Sequence, residues 1–235
     1  TATYRHKTYD FNKNIYVVAT QQLLHFKQLK AVLQEMGYEW YDDCVHVPFG
    51  MISMKDGAMR TREGKVVFLE DVLNKAIDKT KEIIEQRNPN LENKDEVARS
   101  VGVGAIIFQD LFNNRIKDYV FDWDQVLNFE GETGPYVQYS YARSCAILNK
   151  GEFDLNKKAD LSLLKETEEI DLVKLLYRFP SVIEDAADRF EPSYITRYVV
   201  ELAKLFNRFY NACPIHSSSD DIKQARLLLT YSVNK

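Results

Sequence analysis

The sequence predicts a mostly α-helical protein that opens on a short α/β segment. Three observations carry that prediction. Residues 15–50 read as strand, helix, strand; apolar residues recur at helical spacing from Leu69 onward; and Pro135, Pro180 and Pro192 each stand at the start of an apolar-periodic run.

Taken in order, "IYVVAT" (Ile15 to Thr20) is a short continuous apolar run, the pattern of a buried parallel strand. In "QQLLHFKQLKAVLQEMG", Leu23, Phe26, Leu29, Val32, Leu33 and Met36 fall at helical spacing, and Gly37 sits where a C-cap belongs. "CVHVPFG" (Cys44 to Gly50) is a second short strand, ended by Pro48 and Gly50. Such a succession is the βαβ unit of a nucleotide-binding sheet, of which two strands form only a part.

A cationic loop follows, "GAMRTREGKVVFLED" (57 to 71), and then the helical character sets in. The first helix runs from Leu69 through Val72, Leu73, Ala76, Ile77, Ile83 and Ile84, with Glu70 and Asp71 in its first turn and Pro89 ending it. "DEVARSVGVGAIIFQDLF" is the second, with Gly102 and Gly104 able to admit another backbone closely. "DYVFDWDQVLNFEGETGP" is irregular and aromatic. Asp122 and Asp124 flank Trp123 there and read as solvent-side strand residues, with no histidine or cysteine nearby to make them a metal site. Gly134-Pro135, Phe179-Pro180 and Glu191-Pro192 open further helices. The clearest spans Pro192 to Ala212, with Ile195, Val199, Leu202, Leu205, Phe206 and Phe209 on one stripe. Asp220 is the expected N-cap of a last helix, after the low-complexity loop "HSSSDD".

Composition narrows the function classes. The chain has 235 residues, 45% hydrophobic and 28% charged, as globular proteins do. A net charge of −4 gives no global basic field to gather nucleic acid without specificity, though it leaves room for a local patch. Cys44, Cys145 and Cys213 are widely spaced and odd in number, which reads as reduced thiols in a cytoplasmic protein. No apolar run approaches the ~18 residues of a membrane span. The chain opens without a methionine and stops inside an apolar helical pattern, so a piece of a longer protein with an incomplete C-terminus is expected.

Several residues carry two readings each. Arg60, Arg62 and Lys65 lie within six positions, with glycines on either side of the arginines. They form either a solvated turn or a mobile loop that grips a polyphosphate. Gln22 follows the first strand, at whose carboxyl end ligands of open α/β sheets lie; it is a ligand contact or a cap of its own helix. His25 in the same turn is a packed helix histidine or a ligand. Tyr136 and Tyr139, three apart, share a helical face on which bases of single-stranded RNA can stack, at ~1–3 kcal/mol each. Alternatively, they pack on a bundle rim with their hydroxyls wet.

The order "YVVATQQLLHF", "HVPFGM", "MRTREGKVVFLEDVL", "FDWDQVLNFEGETGPYVQYSYAR" and "FNRFYNACPI" resembles arginyl-tRNA synthetase, a class I aminoacyl-tRNA synthetase, along nearly the whole chain. The resemblance is to that family's C-terminal part. It implies a partial Rossmann-like α/β segment from the end of the catalytic domain (1–72), connecting helices (73–120) and an α-helical anticodon-binding bundle (121–235). Residues 59–64, "MRTREG", fall where class I synthetases carry the Lys-Met-Ser-Lys-Ser loop, seen in this family as Met-Ser-Thr-Arg-Lys-Gly. Arg62 matches the family position. Arg60 replaces the usual serine and Glu63 the usual lysine, which leaves the lysine's role to Arg60 or Lys65. The chemistry fits cations there: attack of an amino-acid carboxylate on the α-phosphate of ATP builds negative charge on the departing pyrophosphate, and a closing cationic loop stabilises it.

The same resemblance assigns Gln22 to the arginine pocket, with His25 on the same turn as a further candidate for substrate or ATP binding. His46, Phe49 and Met51 are assigned to the ATP base, with a structural strand end as their other reading. Phe129, Gly131, Tyr136, Tyr139, Arg143 and Tyr210 are assigned to the anticodon, with an internal carboxylate as the other partner for Arg143. The implied activity is ATP-dependent arginylation of tRNA(Arg) through an arginyl-adenylate, with L-arginine, ATP and Mg2+ as its small molecules and no resident metal. A cytoplasmic monomer is expected. The His-Ile-Gly-His signature is absent from this sequence, so the 235 residues alone are expected not to activate arginine. The competing reading is a non-catalytic RNA-binding helical module, favoured by Arg60 and Glu63.

Overall fold

The computed structural model of the chain describes residues 1–54 and 67–235. Two units account for them: residues 1–54 with 113–121, and residues 67–112 with 122–235.

In the first unit, α1 (Ala2–Tyr9) leads to β1 (Asn14–Ala19), a 3-10 turn (Thr20–Gln22), α2 (Leu23–Glu35), a second 3-10 turn (Glu39–Asp43) and β2 (Cys44–Phe49). The two strands pair in parallel, Ile15 opposite Val45 and Val17 opposite Val47, and α2 supplies the crossover that a parallel pair needs. Gly37 ends α2 as the sequence predicts. At φ +79° it donates to Gln34 O at 2.9 Å while Tyr38 donates to Leu33 O at 3.1 Å, the paired bonds of a Schellman cap. Ala2, Leu33 and Cys44 form the buried centre, with Phe11, Tyr16, Leu29 and Trp40 packed around it. Burial pushes the Cys44 thiol up from its ordinary value, and all three cysteines are free thiols.

Three expectations change here. Strand β1 is not buried on both faces: Ile15 and Val17 are 47% and 65% exposed, because Tyr16 turns toward Phe26 of α2 and alternate residues turn away. Helix α1 was not foreseen, since Ala2 is its one buried residue and it shows no apolar stripe. Strands β3 (Ile52–Met54) and β4 (Tyr119–Phe121) pair in parallel, Ser53 opposite Val120; three residues are too few to show a period of two.

The second unit is helical: α3 (Leu69–Arg87), α4 (Lys94–Phe112), α5 (Trp123–Val126), α6 (Gly134–Gly151), α7 (Thr167–Tyr177), α8 (Phe179–Asp188), α9 (Ser193–Ala212) and α10 (Asp220–Asn234). Helices α3 and α4 meet through small residues. Ala76, Ala98 and Ala105 are fully buried, and a Cβ on Gly102 would lie 2.8 Å from the Ala76 backbone. The three proline starts become α6, α8 and α9. The stripe of α9 delivers Phe206 and Phe209 into a core with Ile147, Leu172, Ile215, Leu227 and Leu229.

Inside that core region lies a charged pair. Arg226 Nε donates to Glu169 Oε1 at 2.6 Å, with side-chain exposures of 10% and 0%. Arg226 also donates to Pro214 O and Ser218 Oγ, so it joins α10 to α7 and to the preceding loop.

Asp220 is the first helical residue of α10, and Ser219 is the N-cap; adjacent polar residues both suit a cap, so spacing alone misplaces it by one. Asp122 and Asp124 are not strand residues. Asp122 caps α5, its carboxylate accepting from the Asp124 N–H at 3.1 Å. Among the described residues no helix is long and apolar enough to cross a membrane.

Candidate functional site

Two groups of the expected site residues are described, one in each unit. In the first, the carboxyl ends of β1 and β2 set the geometry. Gln22 ends the 3-10 turn beyond β1 and is the N-cap of α2, where its side chain makes no cap hydrogen bond. His25, in the first turn of α2, is exposed and packs edge-on against Phe26 with centroids 5.2 Å apart. His46 on β2 stacks on Phe26 at 4.3 Å. Its Nε2 lies 2.8 Å from Val18 O, and a carbonyl only accepts, so Nε2 carries the hydrogen. Its Nδ1 is buried and has no hydrogen-bond partner among the described residues.

Phe49 and Met51 stand 41% and 50% exposed at the end of β2. Between them Gly50 donates to Arg115 O at 2.7 Å, and a Cβ on Gly50 would sit 2.5 Å from Lys117 O. Only glycine fits that approach. Arg115 Nη1 donates to Pro48 O, and the Met51 N–H donates to Asp118 Oδ1, each at 2.6 Å. These bonds hold both side chains at the strand end. Arg60, Arg62 and Lys65 lie outside the described residues.

In the second unit, Thr133 caps α6 by accepting from the Tyr136 N–H and donates its hydroxyl to Asn128 O. Gly134 follows, pressed against Ala105 and Phe108 of α4. This start directs Tyr136, Tyr139 and Arg143 along α6 toward α9. The Arg143 guanidinium carbon lies 4.9 Å from the Tyr139 ring centroid and 5.5 Å from that of Tyr210, and Nη2 donates to Tyr139 Oη at 3.0 Å. The partner of Nη1 is Asn207 Oδ1 at 2.8 Å. No carboxylate is bonded to Arg143 among the described contacts. Tyr139 and Tyr210 remain 52% and 38% exposed.

Phe129 and Gly131 lie in the loop before α6. Arg87 stands over the Phe129 ring at 5.3 Å, Gly131 adopts φ +97°, and Glu132 pairs with Lys204 of α9 at 2.7 Å. Sequence reasoning missed Asn207, which sits among apolar residues of the α9 stripe. A polar side chain three residues before Tyr210 was the available signal.

Comparison with known proteins draws its boundary elsewhere, since the first match takes in α3 and α4 of the second unit. The profile of "tRNA synthetases class I (R), catalytic domain" matches residues 1–123, and that of the "DALR anticodon binding domain" matches residues 137–235. The chain belongs to the arginyl-tRNA synthetase family. It is 57% identical over 233 residues to an arginine–tRNA ligase of Halothermothrix orenii, and 49% identical over 234 residues to one of Clostridioides difficile. These alignments take in 99% and 100% of the chain but 41% of each relative, so the chain spans about two fifths of their length. The arginyl-tRNA synthetase structure from Thermus thermophilus matches 94% of the chain and 38% of its own, with a TM-score of 0.86 at 29% identity. Both the fold class and the family named from the sequence are thus found, and the chain is the C-terminal part of such a synthetase.

Proposed function

We propose that the chain is the segment of an arginine–tRNA ligase that closes on the phosphates of ATP and holds the anticodon of tRNA(Arg). The observation that supports this most is the gathering of Arg143 with the exposed rings of Tyr139 and Tyr210, within the stretch that resembles an anticodon-binding domain. Splayed RNA bases stack on such rings and on guanidinium planes. Tyr136 and the preceding Phe129–Gly131 loop complete the assigned anticodon face.

In the whole protein the carboxylate of L-arginine attacks the α-phosphate of ATP, pyrophosphate leaves and arginyl-adenylate forms. A terminal ribose hydroxyl of the tRNA then takes the arginyl group and AMP leaves. Mg2+ enters with ATP as the counter-ion of its phosphates. Arg62 is assigned to the departing phosphates, with Lys65 and Arg60 beside it. Gln22 is assigned to arginine, with His25 on the same turn as a further candidate for substrate or ATP binding, and His46, Phe49 and Met51 to the adenosine end. In this reading 1–72 belongs to the catalytic domain, 73–120 connects and 121–235 is the anticodon-binding domain. The protein acts as a cytoplasmic monomer with no membrane partner.

Fluorescence anisotropy of a labelled RNA hairpin carrying an arginine anticodon tests the RNA half of the reading on the 235-residue chain. Arg143→Ala is expected to weaken binding about tenfold or more at fixed salt; equal binding by the wild type and the variant refutes it. Arginine-dependent, tRNA-dependent pyrophosphate exchange by the whole-length protein tests the ATP half. Arg62→Ala is expected to lower the rate about 100-fold, and an unchanged rate removes Arg62 from the site. The 235 residues alone are expected to give no exchange.

A further inference from the structure

We infer that Asn207 is the positioning residue of the RNA face, holding the Arg143 guanidinium and the Tyr136 hydroxyl in one fixed arrangement before RNA arrives. The inference rests on the RNA-binding reading above and deepens it, because Asn207 acts through Arg143 rather than on the RNA.

The carboxamide bridges two helices. On α6, Tyr136, Ser140 and Arg143 occupy positions i, i+4 and i+7, one face of the helix; Asn207 faces them from α9. Its Oδ1 accepts from Arg143 Nη1 at 2.8 Å. Its Nδ2 donates to Tyr136 Oη and to Ser140 Oγ, each at 3.0 Å. Ser140 donates its own hydrogen to Tyr136 O at 3.0 Å, so its oxygen can only receive from Asn207. A guanidinium has donors alone. Reversing the carboxamide would set its NH2 against the guanidinium N–H, so a single orientation satisfies both neighbours.

That polarity passes to Arg143. One Nη is tied to Asn207 and the other to Tyr139 Oη at 3.0 Å, which fixes the plane of the fork beside the Tyr139 and Tyr210 rings. The remaining N–H groups then point in a set direction. An arginine with four free torsions would have to be ordered on binding, which weakens affinity; here Asn207 orders it in advance. Asparagine suits the role because one short side chain supplies an acceptor on one side and two donors on the other. Leucine has nearly the same shape and supplies neither.

The test separates positioning from mere packing. Asn207→Leu is expected to weaken binding of the arginine-anticodon hairpin about tenfold. In an Arg143→Ala background the same substitution is expected to change affinity less than about twofold, as for residues that act as a unit. An equal loss in both backgrounds overturns the proposal, because a structural effect does not depend on Arg143. Nitrogen-15 NMR of the guanidinium provides a readout that needs no RNA. Separate Nη proton signals for Arg143 are expected in the wild type and in Asn207→Asp, which keeps the acceptor, and averaged signals in Asn207→Leu. Averaged signals in the wild type, or no change in Asn207→Leu, overturn the proposal. Circular dichroism melting checks that each variant folds, with Asn207→Ala in place of Asn207→Leu should the latter not fold. If the wild type fails to bind the hairpin, the RNA-binding reading falls, while the NMR comparison still decides the role of Asn207.

Discussion

Arg226 and Glu169 show how much a single buried polar contact can govern. Burying two charges costs several kcal/mol each, and their mutual attraction with further hydrogen bonds offsets it. Here the further bonds are present: Arg226 reaches Pro214 O and Ser218 Oγ, and Glu169 Oε2 accepts the Glu166 N–H at 2.9 Å. Arg226→Met leaves a fully buried carboxylate without its cation. It is expected to lower stability by about 3–5 kcal/mol, read from urea denaturation at neutral pH. A loss under about 1 kcal/mol would show that water or another cation reaches Glu169. Neither residue was singled out from the sequence. A charged residue inside an apolar-periodic run reads as an exposed interruption, and only the fold reveals that two such interruptions face each other. Asn207 escaped for the same reason, whereas Tyr139, Arg143 and Tyr210 were singled out because the motifs around them are long.

At the scale of elements, the two glycines of α4 make contrasting cases. A Cβ on Gly102 would meet backbone atoms of Ala76 at 2.8 Å, while one on Gly104 would meet the end of the Gln138 side chain at 2.8 Å. Backbone cannot give way without moving α3; a glutamine can turn aside. Gly102→Ala is expected to cost about 1–3 kcal/mol. Gly104→Ala is expected to cost less than half of that, helped by the better helix propensity of alanine. Thermal melts of the two variants check the order, and a larger loss for Gly104→Ala would refute the packing argument.

The loop between α9 and α10 has its own titration. Burial first, then the charges of Lys150 and Lys223, hold the His216 imidazole below its ordinary value of 6.5. As pH falls, the unfolded chain therefore takes up this proton before the folded one does. The contribution to stability is full above about pH 6.5 and is lost as pH drops through the lower folded value. His216→Gln is expected to flatten that part of the stability curve, measured by denaturation from about pH 7.5 to about pH 5. Identical curves for wild type and variant would clear His216 of any role. Element by element, the long amphipathic helices and the βαβ start were readable, since periodicity and proline starts are local. The readings failed where the signal is weak: α1 has one buried residue, β3 and β4 have three residues each, and α7 begins on Glu166 where serine, threonine or an Asx residue is the recognisable cap.

For the whole molecule, charge balance limits how the proposed RNA binding could work. With a net charge of −4, non-specific attraction is weak, and that binding would rest on stacking and a few placed cations. Each phosphate neutralised on a single strand contributes a slope of about −0.7 to log K against log salt. For the hairpin a slope of about −1 to −2 is expected, from titrations at several salt concentrations. A slope near −5 or steeper would point to a broad basic face instead. Order along the chain, an α/β start followed by a bundle, was legible from composition and period. How the α6 and α9 faces mesh was not, because that depends on residues about 70 apart in sequence, such as Tyr136 and Asn207.

Glu169 does two jobs at once: one oxygen closes the first turn of α7 and the other grips α10. Backbone N–H groups in a first helical turn ordinarily exchange with solvent quickly, through local fraying. Fraying at Glu166 would break the bond to Glu169, and Glu169 cannot move without disturbing Arg226. The Glu166 amide is therefore expected to exchange deuterium as slowly as the middle of the bundle, a helix end that opens only when the bundle does.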